Sequence, residues 1–72
     1  PRHAQVKQLL REMIATGRLQ PGEKIPAEVQ IADALGVSKM TVNKALLALT
    51  QEGFLVREVG RGTFVAQPES KS

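Results

Sequence analysis

The sequence predicts an α+β fold, three helices followed by a two-stranded β-hairpin, with room for a short third strand near Lys24-Ile25. Three observations carry this. Apolar residues keep helical spacing in three separate stretches as far as about Glu52. Gly17, Gly36 and Gly53 close those stretches. From Phe54 the period changes to short β-prone runs flanking Gly60-Arg61-Gly62.

With 72 residues, this is one small domain near the lower limit for folding on a hydrophobic core alone. There is no cysteine, so neither a disulfide nor a thiolate zinc ligand is available. The core must be aliphatic, which 42% hydrophobic content with two Phe supports. A net charge of +3 leans mildly towards a polyanionic partner. No apolar run approaches the ~20 residues of a membrane span. With no signal peptide visible and no cysteine, a cytoplasmic location is expected.

In the first helix Val6, Leu9, Leu10, Met13 and Ile14 form the apolar stripe, and Gly17 ends it. Arg2 stands at the helix start, where it can approach a phosphate. Lys7 and Arg11 read as a solvated face, and the lone His3 as an exposed or capping side chain. Arg18 to Pro26 is a loop turning at Pro21-Gly22, in which Lys24-Ile25 is long enough for one rung on a sheet edge. The second helix runs from Ala27 to Leu35, burying Ile31, Ala32 and Leu35. Glu28 in its first turn suits the helix dipole. Only Gly36 to Ser38 separate it from the third helix, a helix-turn-helix signal.

The third helix has two jobs. Ser38 is a good N-cap. Val42, Ala45, Leu46 and Leu49 fall at i, i+3, i+4 and i+7, one apolar stripe. Met40, Asn43, Lys44 and Leu47 then point outward, with Lys39 on the flank. Asn pairs with an adenine edge through two hydrogen bonds, and Lys reaches guanine or phosphate. A helix with a buried back and this front suits a major groove. The hairpin strands are Leu55–Val59 and Thr63–Ala66. Arg61 sits at a tip whose glycines permit a tight turn and close backbone approach. A charged tip beside such a helix is the wing of a winged helix-turn-helix, and its Arg can enter a minor groove or pair with phosphate.

Taken together, Gly17-Arg18-Leu19-Gln20-Pro21-Gly22, Ile25-Pro26-Ala27-Glu28, Ile31-Ala32, Leu35-Gly36-Val37-Ser38, Thr41-Val42, Ala45-Leu46, Leu49, Glu52-Gly53 and Gly60-Arg61-Gly62-Thr63-Phe64-Val65 resemble the N-terminal DNA-binding domain of GntR-family bacterial transcription regulators. Met40-Thr41-Val42-Asn43-Lys44-Ala45-Leu46 is more similar to the HutC-type branch, whose best-known members repress histidine-utilisation genes. The resemblance implies a homodimer on a palindromic double-stranded operator, with a further C-terminal domain that binds a small effector. On that pattern residues 1–66 are the winged helix-turn-helix domain and 67–72 begin a linker. Carried over by position, the DNA-binding candidates are Glu28, Ser38, Lys39, Thr41, Asn43, Gly60, Arg61, Gly62 and Thr63; the helix geometry adds Met40 and Lys44, and Arg2 joins from the first helix. Ala27 replaces the usual Ser and leaves only its backbone N–H to serve. Val29 stands where many relatives carry Arg. Lys39 for Arg gives up a bidentate fork, and Asn43 for Arg should shift preference from guanine towards adenine.

The expected function is therefore that of a metabolite-responsive repressor's DNA-binding domain, with no cofactor, metal or membrane partner. A winged-helix protein-interaction module is the alternative, because Met40 and Leu47 are apolar on the outward face. An enzyme is a poor fit: one His, no Cys, no Tyr and no paired carboxylates offer no catalytic set.

Overall fold

The computed structural model describes residues 2–67. Three helices, α1 (Arg2–Ala15), α2 (Glu28–Leu35) and α3 (Lys39–Gln51), precede an antiparallel hairpin of β1 (Leu55–Glu58) and β2 (Gly62–Val65). The register pairs Leu55 with Val65 and Glu58 with Gly62. This is the winged helix-turn-helix that the sequence predicts. The strand limits differ slightly from expectation: β1 stops at Glu58 because Val59 is already in the turn, and β2 starts at Gly62 rather than Thr63.

The centre of the core is α3, whose Val42, Ala45 and Leu49 are fully excluded from solvent. Its apolar stripe faces α1, α2 and β1, so one helix is braced from three directions. From α1 come Val6 and Leu10, from α2 Ile31 and Ala32, and from the hairpin Leu55 and Val65. Each fully buried Val, Leu or Ile among them contributes on the order of 1.5–3 kcal/mol of transfer free energy. Leu9 and Leu35 depart from the predicted stripes. They are 39% and 36% exposed, because α1 lies chiefly over α3 and leaves an open apolar groove towards α2, lined also by Met13, Leu19 and Ile31.

The short third strand exists as a single rung. Lys24 bridges Phe64, the Ile25 N–H donates to Thr63 O at 2.9 Å, and the Val65 N–H donates to Glu23 O at 2.8 Å. Burial of Ile25 anchors the rung. This pairing ties the loop before α2 to the hairpin after α3.

Lys7 and Arg11 are not the free solvated face expected of them. Lys7 Nζ forms an ion pair with Glu52, and the Arg11 guanidinium lies 5.0 Å from the centroid of the Phe54 ring. Both contacts arise because α1 packs along α3 and meets the chain as it leaves that helix, a relation that periodicity along α1 does not contain. Beyond Gln67, the expected linker lies outside the described residues. No described helix is long and apolar enough to cross a membrane.

Candidate nucleic-acid interface

The turn between α2 and α3 is built locally. The backbone N–H of Gly36, in the left-handed conformation, donates to Ala32 O, closing α2. Ser38 then adopts extended dihedrals, and its Oγ accepts from the Thr41 N–H at 3.1 Å. The same Oγ lies 2.9 Å from Thr41 Oγ1. The cap satisfies a first-turn donor and holds the Thr41 hydroxyl at the helix start.

Beyond the cap, Lys39, Met40 and Lys44 are exposed, and Met40 is 68% exposed. Thr41 and Asn43 are half-buried. Leu47 is 41% exposed rather than packed beneath α1 or the wing. The outward face of α3 is thus open, with two ammonium groups and an apolar thioether on it.

Asn43 differs from expectation in one respect: its amide is not free. Nδ2 donates to Glu28 Oε2 at 2.8 Å, across fifteen residues of chain. Glu28 Oε2 also lies 3.8 Å from Arg57 Nη2 on β1. Glu28 therefore does more than complement the α2 dipole; it joins α2, α3 and the wing. Ala27 is the N-cap of α2, which begins one residue later than predicted. Its backbone N–H, the donor left after loss of a hydroxyl, is occupied by Gln30 Oε1 at 3.3 Å.

The wing tip is a tight turn in which the Arg61 N–H donates to Glu58 O at 3.0 Å. Gly60 at the third turn position has φ +78, which the turn requires and most side chains resist. Arg61 is held out at the tip, its side chain 74% exposed and 3.6 Å from Glu58 Oε1. An exposed pair of this kind is worth about 0–1 kcal/mol, so it leaves the guanidinium available. Gly62 and Thr63 line a hollow of about 480 Å³ together with Ala27, Glu28 and Arg57. The fold thus brings the start of α2 beside the base of the wing. Arg2 lies apart from this hollow, exposed at the start of α1 beside Leu35 and Val37, where the helix-turn-helix turn passes.

Three residues at this surface were not among the DNA-binding candidates read from the sequence. Arg57 shares the strand face of Leu55 and so is turned towards α2, a placement that strand alternation could have revealed. Lys24 lies against Gly62 through the extra rung. Val59 is 98% exposed at the wing tip, with no periodic signal to mark it.

Residues 2–65 match the family described as bacterial regulatory proteins, gntR family. The chain is 46% identical to the histidine utilization repressor of Klebsiella aerogenes over 72 residues, covering 100% of this chain and 30% of the relative. It is 44% identical to the histidine utilization repressor of Pseudomonas putida, again over 100% of this chain and 29% of the relative. The chain thus spans under a third of the length of these curated relatives. Among solved structures it is similar to the DNA-binding domain of AraR in complex with operator ORX1, with a TM-score of 0.88 at 41% identity, covering 92% of this chain and 80% of that one.

Proposed function

This chain belongs to the gntR family of bacterial regulatory proteins, and on that premise we propose that it is a sequence-specific DNA-binding domain of a transcriptional repressor. The observation that carries the reading is the division of α3: Val42, Ala45 and Leu49 wholly buried, Lys39, Met40 and Lys44 open to solvent. A helix seated so firmly can present its outer face to a major groove without rearrangement. Ser38 and Lys39 position the domain on phosphates, while Met40, Thr41, Asn43 and Lys44 meet base edges. Arg61, carried by Gly60 and Gly62 beside Thr63, reaches the minor groove or its phosphates. Arg2, the backbone at Ala27 and the start of α2 at Glu28 complete the contact set. The similarity to a DNA-binding domain crystallised on its operator supports this.

In the whole protein, a further C-terminal domain binds a small metabolite, and two copies engage a palindromic operator in the cytoplasm. The greater length of the curated relatives, which are named as repressors, supports that arrangement.

The test is selection of bound duplexes from a random pool, followed by titration of the selected duplex against salt. Recovery of one recurrent sequence, with affinity falling steeply as salt rises, is the expected result. A second reading, a protein-interaction module, draws on the exposure of Met40 and Leu47. It predicts no selected sequence and a binding isotherm insensitive to salt.

A further inference from the structure

Glu28 and Asn43 are brought within 2.8 Å by the packing of α2 against α3. An ionised carboxylate can only accept hydrogen bonds, and an Asn amide has chemically distinct ends. The amide nitrogen of Asn43 must therefore face Glu28, and its oxygen must face away. Arg57 Nη2 lies 3.8 Å from the same carboxylate oxygen, beyond hydrogen-bond distance, and offsets part of its charge beside a polyanion. Glu28 is only partly exposed, so its rotamer freedom is already reduced.

We infer that Glu28 is a positioning residue for base recognition: it holds Asn43 in one of its two amide orientations, so that the amide oxygen and the remaining N–H form a pre-set acceptor–donor edge. This rests on the DNA-binding reading above and names what that site reads. The edge complements adenine in the major groove, where N6–H donates and N7 accepts. It opposes guanine, which offers two acceptors at N7 and O6. A mobile amide would sample both orientations and pay to order one on binding. The carboxylate makes that selection before DNA arrives. It also explains a negative charge at this surface, where a polyanion is the proposed partner.

The protein's own selected duplex, with every single base-pair replacement of it, is the probe. Asn43→Ala first identifies the base pair whose preference depends on Asn43. Glu28→Ala is then expected to lower adenine-over-guanine preference at that pair by roughly three- to tenfold, part of what a full bidentate pair supplies. Preference at other pairs stays unchanged, while loss of a carboxylate beside a polyanion raises affinity for every duplex, random duplex included, by a similar factor. Glu28→Gln, of the same shape but able to present either end of its own amide, gives a smaller loss at the same pair. In the DNA-free protein, the Asn43 side-chain amide protons exchange slowly in wild type and faster in both variants. Should Glu28→Ala lose its helical circular dichroism, Glu28→Gln decides alone.

The inference is overturned if both variants keep the wild-type preference at the Asn43 pair, or if the loss is uniform over all pairs and over random DNA. It is overturned too if Asn43→Ala alters no base preference. If wild type selects no duplex at all, the DNA-binding reading itself falls and this inference with it. A selected duplex with unaffected Glu28 variants sinks only the positioning role.

Discussion

Lys24 lies across the face of Gly62. A Cβ built on Gly62 would stand 2.7 Å from Lys24 Cε, and the Gly62 backbone has φ +126. The extra rung between Lys24 and Phe64 enforces the approach. Two separate costs therefore meet at one glycine, and they can be ranked. The obstructing carbon is near the end of a flexible side chain that can swing away, whereas the dihedral belongs to the strand itself. Gly62→Ala is expected to cost about 1–3 kcal/mol, mostly from the backbone conformation. Urea denaturation checks this, and adding Lys24→Ala should restore less than about 0.5 kcal/mol.

The α3 cap gives a second prediction. Ser38→Ala removes the acceptor of the Thr41 N–H and should destabilise the domain by about 0.5–2 kcal/mol. Ser38→Gly, which leaves the N-cap open to water, should cost only about a few tenths of a kcal/mol. The comparison, made by thermal unfolding, separates the cap from any phosphate contact, because no DNA is present.

Arg11 and Phe54 tie α1 to the exit of α3. With the guanidinium 5.0 Å from the ring centroid and Arg11 exposed, Arg11→Ala should cost about 0.5–1 kcal/mol. A double-mutant cycle with Phe54→Leu measures the coupling. The neighbouring Lys7–Glu52 pair is partly exposed, so Lys7→Ala should cost no more than about 1 kcal/mol and less as salt rises.

On DNA, Lys39 and Asn43 of α3 should separate. Lys39→Ala should weaken selected and random duplexes alike and flatten the plot of log affinity against log salt by about 0.9. Asn43→Ala should cost about 1–3 kcal/mol on the selected duplex and relax one base preference. Fluorescence anisotropy at several salt concentrations distinguishes them. Equal losses for Asn43→Ala on both duplexes would remove its base-reading role.

Much of the architecture was legible before any coordinates. The i, i+3, i+4, i+7 spacing of Val42, Ala45, Leu46 and Leu49 is a property of the chain alone, and it fixes which side of α3 faces solvent. Ser38 as cap, Gly53 as exit and the switch of period at Phe54 are equally local. So is the tight turn at Gly60, since the backbone needs a positive φ there. Lys24-Ile25 could be anticipated as a strand rung because few residues separate Pro21-Gly22 from Pro26.

What only tertiary structure decided is which side chains meet across elements. Lys7 finds Glu52, Arg11 finds Phe54, and Asn43 finds Glu28 with Arg57 close by. Leu9 and Leu35 satisfy their helical pattern yet border an open groove. Periodicity specifies a direction around one helix axis; it carries no information on the distance, crossing and partner of the next helix. Those follow from close packing of the whole core, and packing turned an apparently free asparagine into one already held by a carboxylate.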